Sequence, residues 1–154
     1  MDLKYETINF EIIENKAIIR LNRPNSYNSL NAKMAKELLE ISYECDTNKK
    51  IRAIILTGEG DKAFCAGGDL KSFHETGNVA KHLKMVTHDL HGAITRFSRM
   101  NSPLIVAVNG VAAGAGLSFV GFADLAIAKS GATFVSAYTK ACLLYTSPSP
   151  RDGW

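Results

Sequence analysis

The sequence predicts an α/β fold in which buried strands are covered by helices, and three observations predict it. Short apolar runs of strand length, at 51–56 (IRAIIL), Leu104–Val108 and Leu125–Ala128, recur along the chain. Between them lie longer segments whose apolar residues repeat every three or four positions, the spacing of one helix face. Two of the runs pass straight into glycine-rich stretches that end at helix starts, giving the order strand, turn, helix, strand.

The first element is a strand pair. Residues 7–13 and 16–21 are β-rich runs that meet at Glu14-Asn15, which suits a tight hairpin turn. The loop NRPNSYNS follows, and Asn31 is placed to cap a helix in which Met34, Leu38, Ile41 and Cys45 share one face. The strand at 51–56 enters TGEGDKAFCAGGD, a loop with four glycines, after which Asp69 can cap a helix from Leu70. Leu83, Val86, Leu90, Ile94 and Phe97 predict a longer helix over 80–100, ended by Asn101-Ser102-Pro103. A strand at Leu104–Val108 then leads through a second glycine-rich turn, 109–116, into a short helix over 117–122 and a last strand at Leu125–Ala128.

The 154 residues are 46% hydrophobic and 21% charged, the balance of a globular domain with a core. The 18 Lys and Arg against 15 Asp and Glu are scattered singly, which argues against a nucleic-acid or membrane-surface footprint. Cys45, Cys65 and Cys142 show no CxxC spacing, so neither a disulfide framework nor a structural zinc site is expected. The start lacks a basic-then-apolar leader, and the most apolar stretch, 103–128, is broken by Asn109, Gly110, Ser118 and Asp124. A reducing, cytoplasmic location is the expectation.

From Cys142 the character changes. CLLYTSPSPRD, residues 142–152, equals one translated frame of a common sequencing-library transposon adapter. Residues 142–154 are therefore expected to be adapter-derived, and 1–141 to form the N-terminal part of a domain.

The two glycine-rich turns share a design. A buried strand ends, small residues admit close backbone approach, and a helix begins, leaving unpaired N–H groups at the positive end of a helix dipole. Two such junctions can give two donors to one oxygen acquiring negative charge, which is the geometry of an oxyanion hole.

KAFCAGGDL at 62–70 and PLIVAVNGVAAGAGLSFVGFADLAIA at 103–128 resemble the enoyl-CoA hydratase/isomerase family, also called the crotonase family. NRPNSYNSLN at 22–31 resembles its N-terminal signature, and the likeness runs through 7–141 with three motifs in order. The resemblance implies a crotonase-like (ClpP/crotonase) spiral of repeated β-β-α units, assembled as trimers or paired trimers. It implies acyl-CoA thioesters as substrates and no further cofactor. By position, the backbone N–H groups of Ala66 and Ala115 would hold the thioester oxygen, and Gly67, Gly68 and Asp69 would line the turn beside the substrate. Preorganised donors favour the enolate over the starting carbonyl, which lowers the barrier.

Hydratases of the family use two glutamates, and the matching positions here are Ser118 and Tyr138. Neither replaces a carboxylate at neutral pH. The resemblance thus favours an isomerase-like parent enzyme, isomerising a double bond or a ring, whose acid/base carboxylate lies beyond Ala141, and the fragment by itself is expected to be inactive. Hydratase activity and acyl-CoA binding without turnover stay open as alternatives.

Other readings of these motifs are weaker. Gly114-x-Gly116 lacks the third glycine and the distant acid of a dinucleotide loop. Cys65 has no histidine near it in sequence and reads as packing. His74, His82, His88 and His91 show neither HxxxH nor HExxH, so no metal site is expected. Asp69 reads equally as a helix cap, and Lys71 as an exposed helix lysine rather than a phosphate ligand.

Overall fold

A computed structural model describes residues 5–74 and 77–137. Tyr138 and the segment 142–154 lie outside the described residues. The hairpin forms as expected from β1 (Ile8–Ile13) and β2 (Lys16–Leu21), antiparallel in register Ile13↔Lys16, with Glu14 turning at φ 57°. Helix α1 (Ala32–Thr47) is capped by Asn31, whose side chain accepts from the Met34 N–H at 2.9 Å. Strands β3 (Ala53–Gly58) and β4 (Ala63–Cys65), helices α2 (Leu70–His74) and α3 (Val79–Phe97), and strands β5 (Leu104–Val108) and β6 (Val111–Ala113) follow. Helix α4 (Ala115–Phe122), β7 (Leu125–Ala128) and β8 (Phe134–Val135) complete the described chain.

Two sheets result. The larger runs β1-β2-β3-β5-β7 and is parallel from β2 onward, while the smaller runs β4-β6-β8 and is parallel throughout. Successive units each give one strand to the large sheet and the next strand to the small one: β3 and β4, β5 and β6, β7 and β8. That is the spiral of repeated β-β-α units, and the first two of these steps pass through the two glycine-rich stretches.

The core lies between the large sheet and the packed pair α1 and α3. Ile19, Leu21, Ile54, Leu56 and Val106 from the strands meet Met34, Leu38, Ile41, Ala93 and Phe97 from the helices, all essentially without solvent contact. Phe119 of α4 packs edge-on against Phe64 of β4 at 6.2 Å between ring centroids, which fastens the second turn to the first. Three details depart from the sequence expectation. Helix α3 stops at Phe97, earlier than the Pro103 signal; β4, β6 and β8 are additional strands; and β7 is uncovered, with Leu125 52% and Ile127 58% exposed. No described helix is long and apolar enough to cross a membrane.

Candidate active site

The two glycine-rich turns come together. A Cβ added to Gly114 would sit 3.6 Å from the Cα of Gly67, and one added to Gly67 would sit 3.6 Å from the Ala115 nitrogen. A Cβ on Gly116 would lie 2.1 Å from the Cys65 carbonyl oxygen, so the start of α4 rests directly on the end of β4. Glycine at 116 is what allows one backbone to lie on the other, while Gly67 and Gly114 are called for by their positive φ of 97° and 52°.

Ala115 is the first residue of α4, and its N–H has no partner among the described residues. Gly114 precedes it at φ 52° and ψ −118°, anchored through its own N–H to the Val135 carbonyl at 3.0 Å.

Ala66 does not behave as the sequence suggests. Its N–H donates to the Tyr27 carbonyl at 3.0 Å and is therefore occupied in holding the turn. The free amide sits two residues on, at Gly68. The Gly67 carbonyl accepts from the Leu30 N–H at 2.7 Å, and the Asp69 N–H donates to the Leu30 carbonyl at 2.8 Å. Leu30 and Gly68 thus form an isolated parallel bridge in which Gly68 turns its own N–H away from Leu30. That N–H finds no partner among the described residues, and Gly68 is exposed. In an extended chain the amides of residues 66 and 68 would point the same way. The positive φ of Gly67, 97°, turns the intervening peptide over and separates them. A glycine between the two candidates was the signal that could have shown this.

Asp69 serves the turn rather than a ligand. Its Oδ2 accepts from Arg23 Nη2 at 2.7 Å and its Oδ1 from the Ser72 N–H at 3.2 Å, capping α2. Burial alone would raise its carboxyl. The hydrogen bonds from Arg23 and from the Ser72 and Lys71 amides, with the guanidinium charge, outweigh burial and hold it below the usual carboxylate value. Ser118 has its Oγ directed at the carbonyl of Gly114, the residue before α4, at 3.4 Å. Cys65 is fully buried, and burial pushes its thiol up to about 12 although the Gly67 N–H bonds to it, so it stays protonated at neutral pH.

Two asparagines brace the loop between β3 and β4. Asn28 donates to the carbonyls of Ala63 at 2.9 Å and Glu59 at 3.0 Å while accepting from the Arg23 N–H at 2.9 Å. Asn109 accepts from the Gly58 N–H at 3.1 Å and donates to the Gly60 carbonyl at 2.6 Å. Chemically, the site offers two outward backbone donors on adjoining turns, with the neighbouring side chains engaged in fixing the backbone.

The family model for enoyl-CoA hydratase/isomerase matches residues 11–145. The chain belongs to that family. It is 39% identical over 143 residues to a probable enoyl-CoA hydratase of Rhodobacter capsulatus, spanning 92% of this chain and 53% of the relative. It is 37% identical over 128 residues to a 1,2-epoxyphenylacetyl-CoA isomerase of Escherichia coli, spanning 82% of this chain and 48% of the relative. It is also 33% identical over 133 residues to a 4-chlorobenzoyl coenzyme A dehalogenase of an Arthrobacter species, spanning 85% of this chain and 48% of the relative. Among solved structures, an enoyl-CoA hydratase from Bacillus anthracis superposes with a TM-score of 0.81 at 30% identity, covering 88% of this chain and 53% of that one. The chain spans about half the length of the relatives it matches. The crotonase-like fold expected from the sequence is the fold observed.

Proposed function

We propose that this chain carries the oxyanion hole of an enzyme acting on acyl-CoA thioesters, with the N–H groups of Gly68 and Ala115 as the two donors. The observation that supports the reading most directly is the meeting of the two turns at Gly67 and Gly114, with an amide on each turn beside the junction that has no partner among the described residues. The relatives named above point to the same substrate class, since each carries a CoA thioester in its name while the reactions differ.

The chemistry follows from the donors. Removing a proton from the carbon beside a thioester drives negative charge onto the carbonyl oxygen. Fixed N–H dipoles bind that charge more tightly than the neutral carbonyl and need no reorganisation during the step. The reaction subtype we infer is isomerisation, in which a proton leaves one carbon and returns to another. Ser118 supports it over hydration, because a serine hydroxyl stands where a hydratase of the family has a glutamate. The turn's own carboxylate, Asp69, is committed to Arg23 and Ser72. The same serine favours a second reading, binding without turnover, which product analysis with a panel of acyl-CoA thioesters separates from the first. Assembly as trimers or paired trimers belongs to the proposal for the full-length protein.

Ala115→Pro in the full-length protein is the test. Proline suits the first position of a helix, so the variant loses the donor with little loss of helix geometry. The expected fall in kcat is about 10²–10³-fold, the cost of one such donor. A folded Ala115→Pro protein with full turnover would refute the assignment.

A further inference from the structure

Resting on that reading of the hole, we propose that Arg23 is a positioning residue that orients and strengthens the Gly68 donor through two hydrogen-bonded peptide groups. The chain of contacts is continuous. Arg23 Nη1 donates to the Ser29 carbonyl at 2.6 Å. The same peptide carries the Leu30 N–H, which donates to the Gly67 carbonyl at 2.7 Å. The Gly67 peptide in turn carries the Gly68 N–H, the outward donor.

A trans peptide holds its C=O and N–H on opposite edges of one plane. Each link therefore passes both direction and polarisation to the next. With the Ser29–Leu30 peptide gripped at its oxygen by a cation, its N–H becomes a better donor to Gly67. That bond polarises the Gly67–Gly68 peptide likewise, and in a partly dehydrated setting hydrogen bonds in series strengthen one another by about 10–30% each. The Gly68 N–H at the end of the series faces the developing negative charge.

The other arm of the guanidinium fixes the geometry. Arg23 Nη2 holds Asp69 Oδ2 at 2.7 Å, and Asp69 is the residue directly after the donor. The side chains of Arg23 and Asp69 are only 20% and 13% exposed. Gly68 thus lies between two anchors, its preceding carbonyl held by Leu30 and its following residue held by Arg23. The planar fork of an arginine can serve both acceptors at once, which a lysine ammonium does less well.

The experiment uses the full-length protein and acetyl-CoA labelled with ¹³C at the thioester carbonyl, whose infrared stretch falls as hydrogen bonds to its oxygen strengthen. In the unsubstituted protein the bound band is expected below its position in water. Arg23→Met is expected to return a large part of that shift and to lower kcat about tenfold with little change in KM, less than the 10²–10³ that loss of a whole donor costs. Arg23→Lys, which keeps the charge, is expected to recover most of the shift. Should Arg23→Met fail to fold, Arg23→Gln, which keeps a polar side chain without the charge, carries the same test. A bound band unmoved by loss of the Arg23 charge overturns this proposal alone. A bound band already at its solution position in the unsubstituted protein overturns the hole itself.

Discussion

Two glycines of α4 should respond to the same substitution with opposite signs. Gly116 and Gly121 both lie in Ala115–Phe122, and alanine in place of glycine inside a helix favours folding by about 0.8–1 kcal/mol when nothing else changes. At Gly121 nothing else changes among the described residues, where the position is exposed and an added Cβ meets no atom within 4 Å. At Gly116 the added Cβ would lie 2.1 Å from the Cys65 carbonyl oxygen and 2.9 Å from its carbonyl carbon. These are backbone atoms of a buried strand and cannot rotate aside, so β4 and α4 must separate. Overpacking of this kind costs about 3 kcal/mol at the upper end of its usual range. Subtracting the propensity gain leaves Gly116→Ala destabilised by about 2 kcal/mol. For a protein of this family's size each kcal/mol moves the thermal midpoint by about 2–4 °C, so the two variants should fall on either side of the parent and be several degrees apart. Thermal melts of the full-length protein at matched concentration decide it. A Gly116→Ala midpoint equal to or above that of Gly121→Ala would refute the close approach of the two turns.

Asp69→Asn should destabilise the protein in a pH-dependent way. The folded carboxyl titrates below its unfolded value, so its contribution is fully present above about pH 4 and is lost as pH falls through the lower, folded value. The stability gap between parent and Asp69→Asn, read from urea midpoints, should therefore close on acidification and stay flat near neutrality. Cys65 should resist alkylation by iodoacetamide at pH 8 in the folded protein and react once urea unfolds it, because burial keeps the thiol protonated and covered. Peptide mapping by mass spectrometry separates its labelling from that of the other cysteines.

The sequence disclosed those parts of the fold that carry their own pattern. The apolar runs became β3, β5 and β7, the three- and four-residue spacing became α1 and α3, and Asn31 caps α1 as its residue type suggests. The small sheet was invisible for a physical reason. Strands β4 and β6 have three residues each and β8 has two, too few for any alternation to show. What makes them strands is their pairing with partners distant in sequence, as in Ala63↔Val111 and Ala112↔Phe134. The covering of β7 was overstated because apolar composition says that a segment prefers burial, not what buries it. At the site, the two turns were legible from glycine spacing and the helix starts, whereas the choice of Ala66 and Ala115 as donors came from the family resemblance alone. The Ala66 N–H is instead held by the carbonyl of Tyr27, 39 positions earlier in the chain, and the amide direction beyond it turns on the φ of Gly67, neither of which a sequence pattern displays.

The division of labour around these turns explains why one scaffold suits several reactions. Arg23, Asn28, Asp69 and Asn109 all direct their polar atoms at backbone groups in and around the turns or at one another, while the proposed donors are themselves backbone amides. A group that stabilises charge without contributing a side chain is indifferent to which side chains later move the proton. Substitution at positions such as Ser118 can then change the reaction while the donors stay in place. That independence is consistent with a hydratase, an isomerase and a dehalogenase all aligning with this same stretch of chain. It also locates the constraint: a change that alters reaction type should fall outside the set of backbone-holding residues, whereas loss of Arg23 should lower every reaction the scaffold supports by weakening the proposed Gly68 donor.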